Sequence, residues 1–256
     1  MLFTDKRADG TYPPILHQLK PDRITLIGGA WCGLVLGAAD TLQQVGISMT
    51  TAGKAGFITA LYIILVPLLG RFMGRKVSRI IVICVALAIA GFYLLCINGD
   101  FQVSFGDFLV LCCAVFFALH ILVIDHFLLK KANSVKLSWV QFATAFLFSG
   151  TLTVLFEQPD WSALWAAKWP LLYAGGLSSG VAYTLQIVGQ KYTEPTTATL
   201  IMSLESVFAA LAGWLILGEV MTAKELTGCV LVFAAVILAQ IPLPHISFRQ
   251  KNHNHQ

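Results

Sequence analysis

The chain has 256 residues, is 57% hydrophobic and only 12% charged, and has a mean hydropathy of +0.77. Soluble domains average about 45–50% apolar and about 25% charged residues. Several apolar runs here exceed the roughly 18 residues needed to cross a bilayer, so a soluble fold is excluded. These runs do not alternate apolar and polar positions as barrel strands do, which leaves an all-α polytopic membrane protein as the expected fold class. The net charge of +4 follows from loop lysines and arginines and implies no nucleic-acid partner.

In chain order, residues 1–23 form a polar N-terminal segment without the apolar core of a signal peptide. About eight transmembrane helices follow, over 24–46, 52–72, 80–97, 105–124, 137–156, 170–189, 195–217 and 226–243, and a tail over 244–256. Connections are short, so no soluble domain is inserted. Cys32, Cys84, Cys96, Cys112, Cys113 and Cys229 all lie in apolar runs without a CxxC pair and read as packing residues. The last stretch carries three histidines and reads as a solvated tail. No cofactor or metal is expected.

Lys and Arg counts set the expected orientation. With the N-terminus cytoplasmic, fourteen of the seventeen basic residues fall on the inside, and only Lys54, Lys168 and Lys224 fall outside. Both termini are therefore expected in the cytoplasm.

The chain repeats itself at an offset of 143 residues. Thr41, Leu42, Gln43, Val45, Gly46 and Thr50 match Thr184, Leu185, Gln186, Val188, Gly189 and Thr193. The match continues at Ala55/Ala198, Ile58/Ile201, Leu61/Leu204 and Gly70/Gly213. The copies lie five spans apart, an odd number, so they cross the membrane in opposite directions. Such inverted repeats are built into secondary transporters, with the site near the midplane where the halves meet. If the unit is five helices, the second copy is 105–243, and the first, 24–98, holds three. Two helices are then expected to be missing, through a shortened chain or a misplaced start.

The candidate site residues come from polar positions that are costly in lipid. Glu205 lies near the middle of the seventh span, where a charge costs about 2.5–3.5 kcal/mol on insertion scales, so it faces a cavity or bonds a neighbouring helix. Tyr62 is its repeat counterpart. Asp40, Gln43 and Gln44 lie toward the outer end of the first span and either line a cavity or sit at the interface. Tyr183 and Gln186 match Asp40 and Gln43 and share a face of the sixth span. A small hydrogen-bonding substrate is expected between these helices. His120, with Trp139 and Gln141 on the next helix, reads as a helix–helix hydrogen-bonder. Asp107 and Asp125 read as interfacial, Lys54 as snorkelling to headgroups, and Glu219 as structural. Trp161, Trp165 and Trp169 fit an aromatic belt lying on the bilayer. Gly29, Gly33 and Gly37 form a small-residue stripe for close helix contact, which could also carry a homodimer.

SLESVFAALAGWLILGE over 203–219 resembles the penultimate helix of the EamA-type drug/metabolite transporters. TTAGKAGFITALYIILVPLLG over 50–70 resembles its first-repeat counterpart, and FGDFLVLCCAVFFALHILVIDHFLLKK over 105–131 is similar to the opening helix of the second repeat. The resemblance implies ten helices in two inverted five-helix repeats, a bacterial inner-membrane location, and movement of small metabolites such as amino acids, or of drugs, often as export. The first two helices of that pattern are absent here. No Walker A, HExxH or GxSxG motif supports ATP-driven transport or hydrolysis. The competing expectations are an intramembrane enzyme, for which His120 is the best candidate residue, and a truncated fragment that does not transport and associates with a partner.

Overall fold

A computed structural model describes residues 21–50, 52–74, 77–96, 104–205, 207, 208, 211, 215 and 222–240. Every element among them is helical: α1 (Arg23–Ile47), α2 (Ala52–Ala60), α3 (Tyr62–Phe72), α4 (Arg79–Cys96), α5 (Phe105–Leu129), α6 (Ser134–Phe156), α7 (Trp161–Ala166), α8 (Lys168–Leu172), a π-helix (Tyr173–Tyr183), α9 (Thr184–Gln190), α10 (Pro195–Met202) and α11 (Ala223–Gln240). Among the described residues, five helical stretches are long and apolar enough to cross a membrane: Arg23–Ile47, Ala55–Phe72, Phe105–Leu129, Ser134–Phe156 and Lys168–Gln190. The chain is a multi-pass membrane protein. The expectations for the two polar ends, Glu219 and the side chains of Lys54 and Cys96 lie outside the described residues.

The helix starts are read directly from short polar residues. Asp22 caps α1, accepting from the Thr25 amide and hydroxyl. These bonds hold its carboxyl below the usual carboxylate range. Ser104 and Asp107 form a reciprocal capping box on α5. Asn133 caps α6, and Asp160 caps α7. Ser162 and Ala163 hydrogen-bond the exposed Asp160 and lower its pKa.

The caps also tie helices together. Buried Thr25 accepts from the Asn133 amide at 3.1 Å, pinning the start of α1 to the start of α6. Thr50 donates to Asp107, pinning the end of α1 to the start of α5. Asp107 and Asp125, near the two ends of α5, are both buried within the protein. For Asp107 the reason is that it serves the cap and Thr50 at once.

Helix α1 packs against α5 and α6. The glycine stripe makes this possible. A Cβ on Gly29 would fall 2.5 Å from Val140, on Gly33 2.4 Å from the Gln141 carbonyl oxygen, and on Gly37 2.7 Å from the Phe148 ring. The stripe is thus used inside the chain, against α6, and is not free to join two copies. The other close pair is α4 with α11, the last helices of the two repeats. Cys84, Val85, Ala88 and Phe92 meet Cys229, Val232, Ala235 and Val236 there. The cysteines whose side chains are described are free, in keeping with a packing role.

Two departures from regular helix matter. The second expected span is distorted at Leu61, a single right-handed turn residue between α2 and α3. The sixth is continuous but holds eleven residues of π-helix, YAGGLSSGVAY. Among them, the side-chain positions of Gly175 and Gly176 open onto empty space. With little side-chain packing to hold the tighter α-turn, the wider turn is tolerated, and such turns gather at functional sites. The three tryptophans are exposed on α7 and α8, and the Lys168 ammonium lies 4.7 Å from the Trp165 ring centroid and 5.9 Å from that of Trp169.

Candidate functional site

Tyr183 ends the π-helix and is the centre of the polar site. Its phenol lies within electrostatic reach of Asp40, Glu205, Tyr62 and Cys113. Tyr62 is in turn within reach of Glu205, and Cys113 of Asp40. Five segments distant in sequence supply these groups: α1, α3, α5, the π-helix and the helical residues just after the Ser203 turn. Asp40 and Glu205 are exposed, while Tyr62 and Tyr183 are half-buried.

The ring of Tyr183 is held by its neighbours. His120 packs edge-on at 6.3 Å between centroids and Phe142 at 6.2 Å. His120 is buried, and its Nε2 donates to Gln141 Oε1 at 2.8 Å, because an amide oxygen only accepts. His120 is therefore the helix–helix hydrogen-bonder expected, and it positions Tyr183 from behind. One residue further on, Thr184 donates to the Gly180 carbonyl at 2.6 Å. Its single proton being used, it accepts from Ser138 of α6 at 2.7 Å.

Tyr62 and Glu205 are repeat counterparts, and each lies within two residues of a helix irregularity. Leu61 separates α2 from α3, and Ser203 stands at the end of α10, two residues before Glu205. At Ser203 the hydroxyl donates to the Leu200 carbonyl at 2.6 Å, a bond that competes with the helix ladder. At Leu61 the amide bonds Ile58, three residues back, instead of four. At the repeat offset Leu61 matches Leu204, so the two irregularities fall within one residue of matching places.

Toward the Phe72 end of α3, the site is closed by Val66, Ala118, Ile121 and Leu122, with Tyr62, Leu65, Leu69 and Met202 packed on them. Beyond this apolar layer lies a cavity of about 260 Å³, lined by Val66, Pro67, Gly70, Val77, Leu122, Glu194, Pro195 and Thr196.

Of the residues expected at a site, the structure brings together Asp40, Tyr62, Tyr183 and Glu205. Gln43 stands one turn from Asp40 and donates to Thr59 of α2 at 3.3 Å. Gln44 is exposed on the face of Asp40, and Gln186 is half-buried one turn beyond Tyr183. Cys113 and Phe142 escaped the sequence reading, since a thiol and a ring in apolar helices look like packing. Among the described residues, no three His, Cys, Asp or Glu side chains gather to hold a metal ion.

Residues 104–240 match the EamA-like transporter family. The chain is 34% identical over 202 residues to an uncharacterized transporter of Archaeoglobus fulgidus (strain ATCC 49558 / DSM 4304 / JCM 9628 / NBRC 100126 / VC-16), a match covering 78% of this chain and 64% of the relative. It thus spans less than two thirds of that relative's length. A solved crystal structure superposes with a TM-score of 0.68 at 17% identity, over 85% of each chain, which speaks for the fold alone. With the family's model matching more than half of its length, the chain belongs to the EamA-like transporter family.

Proposed function

We propose that the chain is a secondary transporter, not an enzyme, that moves a small metabolite or drug by alternating access in the export direction. It lies in the cell membrane, the inner membrane of a bacterium, with both termini cytoplasmic, as the distribution of lysine and arginine favours. The observation that carries the reading is the pair of helix irregularities near Tyr62 and Glu205. Departures from regular helix gather at functional sites, and secondary transporters bind substrate where inverted repeats meet. The apolar layer around Val66 and Leu122 closes one side of the site, and a switch of access requires it to part toward the cavity behind it.

Glu205 is the residue proposed to couple movement to protons, since it is a carboxylate in an apolar span whose repeat counterpart is a tyrosine. The test is substrate movement across reconstituted vesicles as a function of pH, for the wild type and Glu205→Gln. Coupling predicts that the variant loses the pH dependence. An unchanged profile removes the proton role.

A second reading, a chain that does not transport and associates with a partner, is favoured by one observation. The span Lys168–Gln190 is almost entirely unburied, whereas its repeat counterpart α1 is buried along nearly half of its length. Flux by the purified chain alone separates the two readings.

A further inference from the structure

We infer that the end of α3 is the moving part of the gate at Val66 and Leu122, and that it opens the gate by swinging about Pro67 into the cavity beside it. This rests on the transport reading and names the device that performs its switch of access.

The gate is thin. Val66 and Leu122 belong to the apolar cluster on which Tyr62 packs, and the same two residues line the cavity of about 260 Å³. Tyr62 and Val66 are four residues apart on α3, about 6 Å along the helix axis. A single turn of helix therefore separates the tyrosine from the cavity.

Pro67 directly follows Val66 and lies inside α3. It lacks the amide that would bond the Ile63 carbonyl, and its ring crowds that carbonyl, so α3 resists bending least at this point. Packing differs on its two sides. Before it, Ile63 and Val66 are buried. After it, Leu68, Arg71, Phe72 and Met73 are exposed, and within α3 only Gly70 is buried. Val66, Pro67 and Gly70 lie three or four residues apart or adjacent, on one side of the helix, and all three line the cavity. Glu194, Pro195 and Thr196, at the start of α10, form another part of its wall. A helix end that borders a void and buries few side chains opens at low cost.

The second copy of the repeat carries no such joint. At the offset of 143 residues Pro67 matches Ala210, and 203–219 contains no proline. The swing therefore belongs to one gate, on the side where Arg71, Arg79 and Lys191 stand, which is cytoplasmic in the proposed orientation.

The experiment reads distance and movement separately. Spin labels are placed at Phe72→Cys, on the end of α3, and at Tyr192→Cys, just after α9, both exposed positions. The labels are carried by the full chain with its six native cysteines replaced by alanine. In lipid nanodiscs this pair is expected to show two distance populations. Pro67→Ala, which restores the helix bond, is expected to leave one. Pro67→Gly, which keeps the helix pliable, is expected to retain both. A reference pair at Leu129→Cys and Tyr192→Cys is expected to show one throughout. Movement of a panel of radiolabelled amino acids in reconstituted vesicles is expected to fall roughly tenfold or more in Pro67→Ala and to recover most of that loss in Pro67→Gly. One narrow population for the Phe72–Tyr192 pair with Pro67 present overturns the inference. So do two populations that persist in Pro67→Ala, or equal movement by wild type and Pro67→Ala. Two populations that Pro67→Ala reduces to one, without movement of any probe, support the hinge and count against the transport reading.

Discussion

Gly33 and Gly176 occupy equivalent places in the two copies of the repeat, yet only one of them carries a helix. A Cβ on Gly33 would sit 2.4 Å from the Gln141 carbonyl oxygen, while one on Gly176 would meet nothing within 4 Å. The same contrast recurs at Gly46, whose Cβ would fall 2.6 Å from Val110, and Gly189, which faces open space. The inverted repeat therefore presents two equivalent small-residue faces, one filled by α5 and α6 and one bare. Gly33→Ala is expected to destabilise the chain by about 1–3 kcal/mol through overpacking against backbone. Gly176→Ala is expected to leave stability unchanged or slightly raised. Melting midpoints of both variants in detergent check this, and an equal loss in the two would mean that Gly176 is covered.

The His120–Gln141 pair makes a second prediction. Gln141→Leu leaves the His120 Nε2 proton buried without an acceptor, at a cost of about 1–3 kcal/mol. His120→Phe with Gln141→Leu removes both polar groups and is expected to recover most of that loss. A double variant less stable than either single one would show that the pair does more than satisfy itself.

Asp22 gives a pH-dependent effect outside the membrane. Asp22→Ala removes the α1 cap and should cost about 1 kcal/mol at neutral pH. Its carboxyl is held below its ordinary value by Thr25. A depressed folded pKa contributes stability above the unfolded value and loses it as pH falls through the folded one. The gap between wild type and variant should hold above about pH 5 and close below about pH 4, as melting midpoints across that range would show. A gap that widens toward acid contradicts the assignment.

Topology is tested with reporter fusions. Alkaline phosphatase joined after Gln158 should be active and joined after Lys131 inactive. The opposite pattern reverses the proposed orientation.

Much of this fold was legible because its signals are local. Spans such as 24–46 and 105–124 were long apolar runs, and the caps Asp22, Ser104 and Asn133 extend the observed helices outward by a turn or less. The repeat offset led to Tyr62, Glu205, Asp40 and Tyr183, because it paired polar residues that lipid alone would not tolerate. What stayed hidden depends on distant partners. The burial of Asp107 follows from Thr50, 57 positions away. The π-helix of Tyr173–Tyr183 follows from glycines that no neighbour contacts. Cys113 becomes a site residue only because α1 brings Asp40 beside it. The irregularities at Leu61 and Ser203 sit in sequence of ordinary helix propensity and were visible only in the folded chain.

The most direct test of the central claim, that substrate moves through the site around Tyr183, is flux in vesicles reconstituted with the purified chain and loaded with a panel of small metabolites. Saturable movement of at least one of these above protein-free vesicles is expected. It should fall by roughly tenfold or more in Tyr183→Ala and persist in Tyr173→Ala, a change at an exposed tyrosine of the same helix. No movement by the wild type, or equal movement by Tyr183→Ala, contradicts it.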